Sequence, residues 1–246
     1  MEPIYRRQFK IEDIHLDCFG RVKPSVLLYF AQEVAGHHAG LLGTGWEALA
    51  EKQLFWAILR NNIQVDRLPT AGETITLETW PMPTTRAAYP RATVAYDSRG
   101  QVLFRSTAIW VLMNTQTRTM ILPGKSGVEV QGILRGTELP APGSIAPAAL
   151  PNRCSRTVGY TLLDRNGHMN NTRYLDWVDD LLPADFHREH PVCGFTVCYL
   201  AEAREGQTLA LDWAMDESLC LHVEAHREKP GMPTAQERVF AVQVHF

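Results

Sequence analysis

The residues best suited to chemistry lie in one short segment, Leu163 to Tyr174, which reads L-D-R-N-G-H-M-N-N-T-R-Y. An imidazole titrates near neutral pH and can act as a general base. Amide and backbone N–H groups can hold the oxyanion that forms when water attacks a carbonyl. This density of polar side chains exceeds what a core-building element needs, so the segment predicts a hydrolytic site acting on an acyl carbonyl.

Each polar residue of the segment suits a definite role. His168 is the predicted base or polarising donor, and Asp164 orients either His168 or the loop. Asn166 donates to the carbonyl or holds a water. Gly167 lets the backbone approach a ligand closely, and a helix beginning just after it would aim free N–H groups at an oxyanion. Asn170 is a further candidate for binding the substrate, although its position also suits a helix cap.

A weak internal repeat relates this segment to the first half of the chain. In both halves an Asp is followed by a Gly, then a Ser or Thr, then an aromatic residue, at matching spacings. The two sets are Asp17, Gly20, Ser25 and Phe30, and Asp164, Gly167, Thr172 and Trp177. The first copy carries Phe19 and Arg21 where the second carries Asn166 and His168. The repeat therefore predicts two similar units, with the polar cluster in the second.

The elements that position these residues follow from hydrophobic spacing. Period-two alternation marks the strands, and Asp97–Gly100 is predicted to be a hairpin turn between two of them. Apolar residues recur at helical spacing after each repeat; in the second they are Tyr174, Trp177, Val178, Leu181 and Leu182. The stretch 123–151 is rich in Pro, Gly and Ala, which is typical of a linker. The predicted organisation is a unit over 1–122, a linker over 123–151 and a unit over 152–246. Each unit is α+β, with one helix buried by an antiparallel sheet.

Composition excludes several classes of function. A net charge of -3 without a basic block gives no support for nucleic-acid binding. No apolar run approaches the length of a membrane span. The cysteines, five in number, fit no zinc spacing, and we expect reduced thiols in a cytoplasmic protein. Neither a P-loop nor a dinucleotide fingerprint is present, so nucleotide chemistry has no support, and the histidine and cysteine spacings predict no metal site.

The segment after Asp164 resembles the motif of the acyl–acyl-carrier-protein (acyl-ACP) thioesterases. The similarity extends over nearly the whole chain, including Tyr5–Phe9 and the strand start at Gly72-Glu73. It implies a tandem, or double, hot-dog fold, in which two antiparallel sheets each wrap around a central helix. It also implies hydrolysis of fatty acyl-ACP without a cofactor, acyl carrier protein as the partner, and a monomer or homodimer.

The resemblance adds one catalytic residue and places one mechanism in doubt. Glu202 falls at the family's acidic position after the motif helix, and Ala203 stands where many members have cysteine. A cysteine nucleophile cannot operate through Ala203, and Cys198 lies four residues from Glu202. The resemblance therefore favours attack by water, with His168 and Glu202 hydrogen-bonded to each other. A carboxylate nucleophile that forms a mixed anhydride is the competing mechanism.

Three other functions compete with this interpretation. An acyl-coenzyme A thioesterase would use the same site, and a non-catalytic acyl-binding protein would share the fold. A hydroxyacyl dehydratase would need a different loop around the histidine. The first half, without the polar cluster, is expected to hold the acyl chain. Its large apolar residues, namely Trp46, Phe55, Trp56 and Trp80, are predicted in the core, some of them lining that pocket.

Overall fold

A computed structural model describes residues 2–229 and 232–246. The chain divides into two compact units, Met1–Pro142 and Gly143–Phe246. The boundary between them falls inside the Pro-rich stretch 123–151. Beyond the short helix at its start, this stretch contains no helix or strand from 127 to 151.

The first unit contains a long helix and an antiparallel sheet. Its helices are α1 (Pro24–Leu41), α2 (Trp46–Ala50) and α3 (Pro123–Ser126). Its strands are β1 (Tyr5–Lys10), β2 (Leu54–Val65), β3 (Thr74–Pro81), β4 (Tyr89–Tyr96), β5 (Val102–Asn114) and β6 (Met120–Ile121). The strand order is β1-β3-β4-β5-β2, and β6 pairs with β5. As predicted, a turn at Asp97–Gly100 joins β4 to β5, with the N–H of Asp97 donating to the carbonyl of Gln101.

Helix α1 supplies the core of the first unit. Pro24 occupies its first turn, where its missing N–H and fixed φ suit a helix start. Leu27, Phe30 and Val34 repeat at helical spacing and are fully buried. After the helix, Gly43 adopts a left-handed φ of 70°, a conformation that favours glycine at a helix end. A single long helix thus buries its apolar face against the sheet.

The second unit repeats the arrangement with a much shorter helix. Its helices are α4 (Arg173–Asp179) and α5 (Ala184–Glu189). Its strands are β7 (Asn152–Thr157), β8 (Gly194–Tyr199), β9 (Thr208–Met215), β10 (Cys220–Lys229) and β11 (Met232–His245). The strand order is β8-β11-β10-β9-β7, and all neighbours are antiparallel. The predicted α+β class with antiparallel strands is therefore confirmed, and further short helices accompany the main helix of each unit.

The extent of α4 differs from the prediction. Its buried face contains Tyr174, Trp177 and Val178, as predicted, but the helix ends at Asp179 before Leu181 and Leu182. These two leucines close a turn through N–H bonds to the carbonyls three residues earlier. Pro183 follows, and the residue before a proline disfavours helical backbone. Apolar spacing alone did not reveal this stop.

Across the described chain, no helix combines the length and apolarity that crossing a membrane requires.

Candidate active site

Residues 163–169, called here the second loop, form a tight turn before α4. Leu163 and Met169 form an isolated antiparallel bridge, and the N–H of Asp164 donates to the carbonyl of His168 at 2.8 Å. The N–H of Gly167 donates to the carbonyl of Asp164 at 3.0 Å. Gly167 has a φ of 74°, in the left-handed region that favours glycine. The backbone geometry therefore fixes where Asn166 and His168 lie.

The carboxylate of Asp164 holds this loop together. Its Oδ1 accepts the backbone N–H groups of Asn166 at 2.8 Å and His168 at 3.3 Å. Its Oδ2 accepts the side-chain amide of Asn166 at 3.1 Å. Of the two roles proposed from sequence, orienting the loop is therefore the one that the contacts support. Because Asp164 also binds the Asn166 side chain, it sets the position of a candidate carbonyl donor.

His168 and Glu202 come together although they are distant in sequence. Nε2 of His168 lies 3.2 Å from Oε2 of Glu202, the separation that the predicted hydrogen bond requires. The N–H of Met169 donates to the carbonyl of Ala203 at 2.8 Å and so joins the second loop to the segment carrying Glu202. The imidazole is 12% exposed and the carboxylate 39%. A shielded imidazole beside a carboxylate open to solvent can activate a water molecule.

Arg227, a residue that sequence reasoning missed, holds the Glu202 backbone. Its Nη1 donates to the carbonyl of Glu202 at 2.7 Å and to Oε1 of Gln207 at 2.6 Å. Its Nε donates to Oε2 of Glu237 on the neighbouring strand β11 at 2.8 Å. This network links strands β10 and β11 to the segment that presents Glu202. No local sequence signal identifies Arg227, because its partners join only when the sheet forms.

Two expectations about oxyanion donors need correction. No helix begins directly after Gly167, because α4 starts at Arg173 and the intervening residues form the bridge and a polar turn. The N–H of Gly167 already donates to Asp164, so the helix-start argument for an oxyanion donor there fails. Oδ1 of Asn170 accepts both the N–H and the hydroxyl of Thr172, at 2.9 and 2.8 Å. In these contacts Asn170 organises the approach to α4.

An apolar cavity of about 130 Å³ lies in the first unit, between α1 and the sheet. Trp56, Tyr89 and Trp110 line it, and Trp56 donates its Nε1 proton to the carbonyl of Thr44 at 2.8 Å. Phe55 and Trp80 are buried in the core as predicted, while the assignment of the Trp56 wall to an acyl pocket stays a prediction. The prediction for Trp46 is wrong: it begins α2 and is 43% exposed. Apolar character alone did not distinguish this surface position.

A thiol nucleophile gains no support at the two positions considered for it. Ala203 is fully buried and offers no thiol at the position where the resemblance would place one. Cys198 is buried in β8, and its Sγ lies 3.7 Å from the carbonyl oxygen of Gly143. These observations favour the imidazole–carboxylate pair over a thiolate as the candidate site.

One group of side chains elsewhere has metal-ligand character within the residues that were searched. Donor atoms of Asp216, Cys220 and His222 lie within 4.8 Å of one another beside the turn between β9 and β10. Internal bonds account for much of the cluster, since Oδ2 of Asp216 contacts Nε2 of His222 at 3.1 Å. Burial raises the pKa of the Cys220 thiol to about 11, which disfavours the thiolate that a metal needs. These contacts therefore support a structural turn.

The fold and the site together define a class: an α+β protein of tandem hot-dog type with an imidazole–carboxylate pair in its second unit. The family comparison agrees. Residues 2–122 match the acyl-ACP thioesterase N-terminal domain, and residues 150–238 match the acyl-ACP thioesterase C-terminal domain. The chain belongs to the acyl-ACP thioesterase family, as the resemblance of its motif indicated.

Plant acyl carrier protein thioesterases and hydrolases are among the similar sequences. A chloroplastic palmitoyl-acyl carrier protein thioesterase of Gossypium hirsutum is 27% identical over 84% of this chain and 54% of its own length. A chloroplastic dodecanoyl-[acyl-carrier-protein] hydrolase of Umbellularia californica is 26% identical over 84% of this chain and 58% of its own length. The chain thus spans little more than half the length of these relatives.

Solved structures match nearly the whole chain. An acyl-ACP thioesterase from Bacteroides thetaiotaomicron superposes with a TM-score of 0.84 at 28% identity, covering 99% of this chain and 98% of that one. A 12:0-ACP thioesterase from Umbellularia californica has a TM-score of 0.80 at 22% identity, covering 100% and 97%. The second likeness concerns the fold alone. Both agree with the tandem hot-dog architecture.

Proposed function

We propose that this protein hydrolyses fatty acyl-ACP to free fatty acid and holo-carrier protein, and thereby terminates fatty acid synthesis. The observation that carries the proposal is the 3.2 Å contact between His168 Nε2 and Glu202 Oε2. Membership in the acyl-ACP thioesterase family supports the carrier-protein thioester as substrate. Hydrolysis needs an activated water, a polarised carbonyl and an apolar site for the chain, and the two units supply candidates for each.

The proposed reaction uses a water bound beside His168 and Glu202. As the water oxygen attacks the thioester carbonyl, the pair removes a proton from it. The carbonyl oxygen becomes an oxyanion, for which the side-chain amide of Asn166 is the candidate donor. Collapse breaks the carbon–sulfur bond and leaves the carboxylic acid. The proton taken from water goes to the departing thiolate, so the site returns to its starting protonation state.

The remaining residues take supporting roles in this proposal. Asp164 and Gly167 shape the second loop, and Arg227 positions the backbone of Glu202. If a carboxylate were instead the nucleophile, Glu202 would be the better placed, because its side chain is 39% exposed while Asp164 binds the loop. A single turnover in ¹⁸O-labelled water tests for the anhydride. Label in Glu202 would identify an anhydride hydrolysed at the enzyme carbonyl, whereas direct attack by water labels only the fatty acid.

The two units divide the work in this proposal. The second unit, predicted over 152–246, carries the chemistry. The first, predicted over 1–122, holds the acyl chain in its apolar cavity, and 123–151 connects them. The carrier protein is the proposed partner. The five cysteines are all unpaired, which supports a reducing compartment and hence the cytoplasm. A monomer or homodimer is proposed, and sedimentation of the purified protein distinguishes these states.

Thiol release by the purified chain tests the function directly. The substrates are acyl-ACP and acyl-coenzyme A panels of matched chain lengths, assayed with and without a chelator. The proposal predicts release from acyl-ACP that the chelator does not affect, with higher kcat/KM than for the matched coenzyme A thioester. Preference for coenzyme A would favour the alternative acyl-coenzyme A thioesterase. Absence of turnover with tight acyl binding would instead identify a non-catalytic acyl-binding protein.

A further inference from the structure

The cavity of the first unit has an unusual wall for an apolar pocket, because a buried cation lines it. Arg91 on β4 is 9% exposed and forms part of the lining. Burial lowers the pKa of its guanidinium to about 10, so the group still carries its charge at neutral pH. Isolated charges are costly to bury and are normally paired with an opposite charge. The groups that contact Arg91 therefore decide whether its charge is balanced within the protein.

The described residues supply Arg91 with no carboxylate. Both of its hydrogen bonds start from Nη1, which donates to Nδ1 of His38 at 3.1 Å and to Oγ1 of Thr79 at 3.3 Å. Nε2 of His38 contacts the carbonyl of Glu2 at 3.3 Å, so Nε2 carries the proton and Nδ1 accepts. Burial and the nearby Arg91 both lower the pKa of His38. A neutral imidazole cannot balance the guanidinium charge.

Two more donors in the same wall lack an acceptor. Nε2 of Gln32 and Nε1 of Trp110 are buried and have no hydrogen-bond partner among the described residues, and both side chains line the cavity. Buried donors normally find a partner in the protein, in water or in a ligand. One cavity of about 130 Å³ is thus lined by a guanidinium, an amide and an indole N–H, with apolar walls between them.

We propose that this cavity is a binding site for a carboxylate carried on a short apolar chain. The guanidinium supplies the charge, while Gln32 and Trp110 supply neutral donors. The aromatic walls contact the chain. A cavity of roughly 150 Å³ holds one benzene molecule, so the volume suits about six carbon atoms. This cavity is also the pocket proposed for the acyl chain, so the inference builds on the proposed function, while carboxylate binding itself does not depend on turnover.

Calorimetric titration with hexanoate and hexan-1-ol tests the site, because the two probes share a chain and differ in charge. The intact protein should bind hexanoate at least about tenfold more tightly than the alcohol, since charge-assisted hydrogen bonds are the stronger kind. Arg91→Met should abolish that preference. Equal affinity for both probes in the intact protein would overturn the proposal, as would an unchanged preference in Arg91→Met. Water alone would then satisfy the donors.

A second variant keeps the test decisive if Arg91→Met fails to fold. Gln32→Met retains the length of the side chain and removes only the buried amide. It should weaken hexanoate binding by about tenfold to 100-fold, the loss of one hydrogen bond to a charged group, and affect hexan-1-ol much less. Unaltered binding of hexanoate to Gln32→Met would count against the site. Circular dichroism and thermal unfolding check that each variant is folded.

Turnover measurements distinguish two possible sources of such a carboxylate. If it is the far end of a dicarboxylic acyl group, the hexanedioyl mono-thioester of pantetheine is hydrolysed faster than the hexanoyl thioester, and Arg91→Met removes the advantage. If it belongs to free fatty acid, hexanoate inhibits while the two thioesters react alike. Either result, with the hexanoate preference, supports the carboxylate site. No thiol release with an intact preference would reject the hydrolase and leave the site standing.

Discussion

The two units contain the same loop backbone but carry different side chains on it. The first loop, residues 16–22, has the N–H of Asp17 donating to the carbonyl of Arg21 at 2.8 Å, as the second loop has Asp164 to His168 at 2.8 Å. A bridge closes both loops, and a glycine with left-handed φ lies at the matching position in each, at 75° and 74°. The backbone of this loop is therefore a shared scaffold, independent of chemistry.

The side chains on this scaffold diverge where the second loop makes its reactive pair. In the first loop, Nε of Arg21 contacts Oδ2 of Asp17 at 3.2 Å, and its guanidinium lies 4.9 Å from the ring centre of Phe19. The carbonyl of Pro69 accepts an N–H from the first loop, as the carbonyl of Ala203 does from the second. The residue before this carbonyl is Leu68 in the first unit and Glu202 in the second. An internal ion pair thus stands in one unit where an imidazole and a separate carboxylate stand in the other.

The largest effect on kcat should come from removing the imidazole of the second loop. Removing its counterpart from the first loop is the control. His168→Ala is expected to lower kcat for thiol release by about 100-fold to 10,000-fold, the usual contribution of a positioned acid–base group. Arg21→Ala, the matched control, removes the ion pair and the ring contact of the first loop and should leave kcat within about twofold, because that loop lies outside the proposed catalytic unit.

Steady-state kinetics and thermal unfolding of both variants check this pair. Comparable losses of kcat in Arg21→Ala and His168→Ala would break the assignment of chemistry to the second unit.

The next effect concerns the carboxylate. Glu202→Gln keeps the shape of the side chain but removes the charge facing His168, so kcat should fall by roughly 100-fold. Glu205→Gln is the control, because Glu205 is exposed on the same segment. It should retain full activity. Activity in Glu202→Gln equal to that of Glu205→Gln would mean that the carboxylate has no part in the reaction.

Replacing the aspartate at the matching position of each loop should have similar effects on stability and different effects on activity. Each accepts two backbone N–H groups of its loop. Asp17→Ala and Asp164→Ala are each expected to lower the free energy of unfolding by about 1–3 kcal/mol, because two backbone donors of the loop lose an ionised acceptor. Only Asp164→Ala should also reduce kcat, since it releases Asn166 and His168. Denaturant unfolding measures the first effect. A fully active, destabilised Asp164→Ala would reduce this residue to a scaffold role.

The smallest effect is a pH dependence confined to the first unit. Burial and Arg91 lower the pKa of His38 below its ordinary value of 6.5. Below pH 6.5 the unfolded chain therefore binds a proton that the folded chain resists. The unfolding free energy should fall as pH drops, by at most about 1.4 kcal/mol per pH unit from this group. His38→Gln should flatten the slope between pH 6.5 and 5. An identical slope in both proteins would contradict this assignment.

Sequence reasoning succeeded where interactions repeat locally. The matched Asp and Gly spacing located both loops, because a turn held by an aspartate and a left-handed glycine depends on few neighbours. The contact between His168 and Glu202 followed from the family resemblance, since it joins residues far apart in the chain. Other features depend on tertiary packing. Neither the anchoring by Arg227 nor the donors of the first-unit cavity has a local signature. The early end of α4 does have one, because Pro183 is a local stop signal that apolar spacing alone does not include.

A double-mutant cycle on His168 and Glu202 most directly tests whether the second unit's pair acts as one catalytic device. The variants are His168→Ala, Glu202→Gln and the double change, with kcat/KM for acyl-ACP hydrolysis as the readout. Groups that act together are strongly non-additive. The double variant is therefore predicted to be no more than a few-fold slower than the slower single variant. Losses that multiply would show that the two side chains act independently and would contradict the pairing on which the proposed mechanism depends.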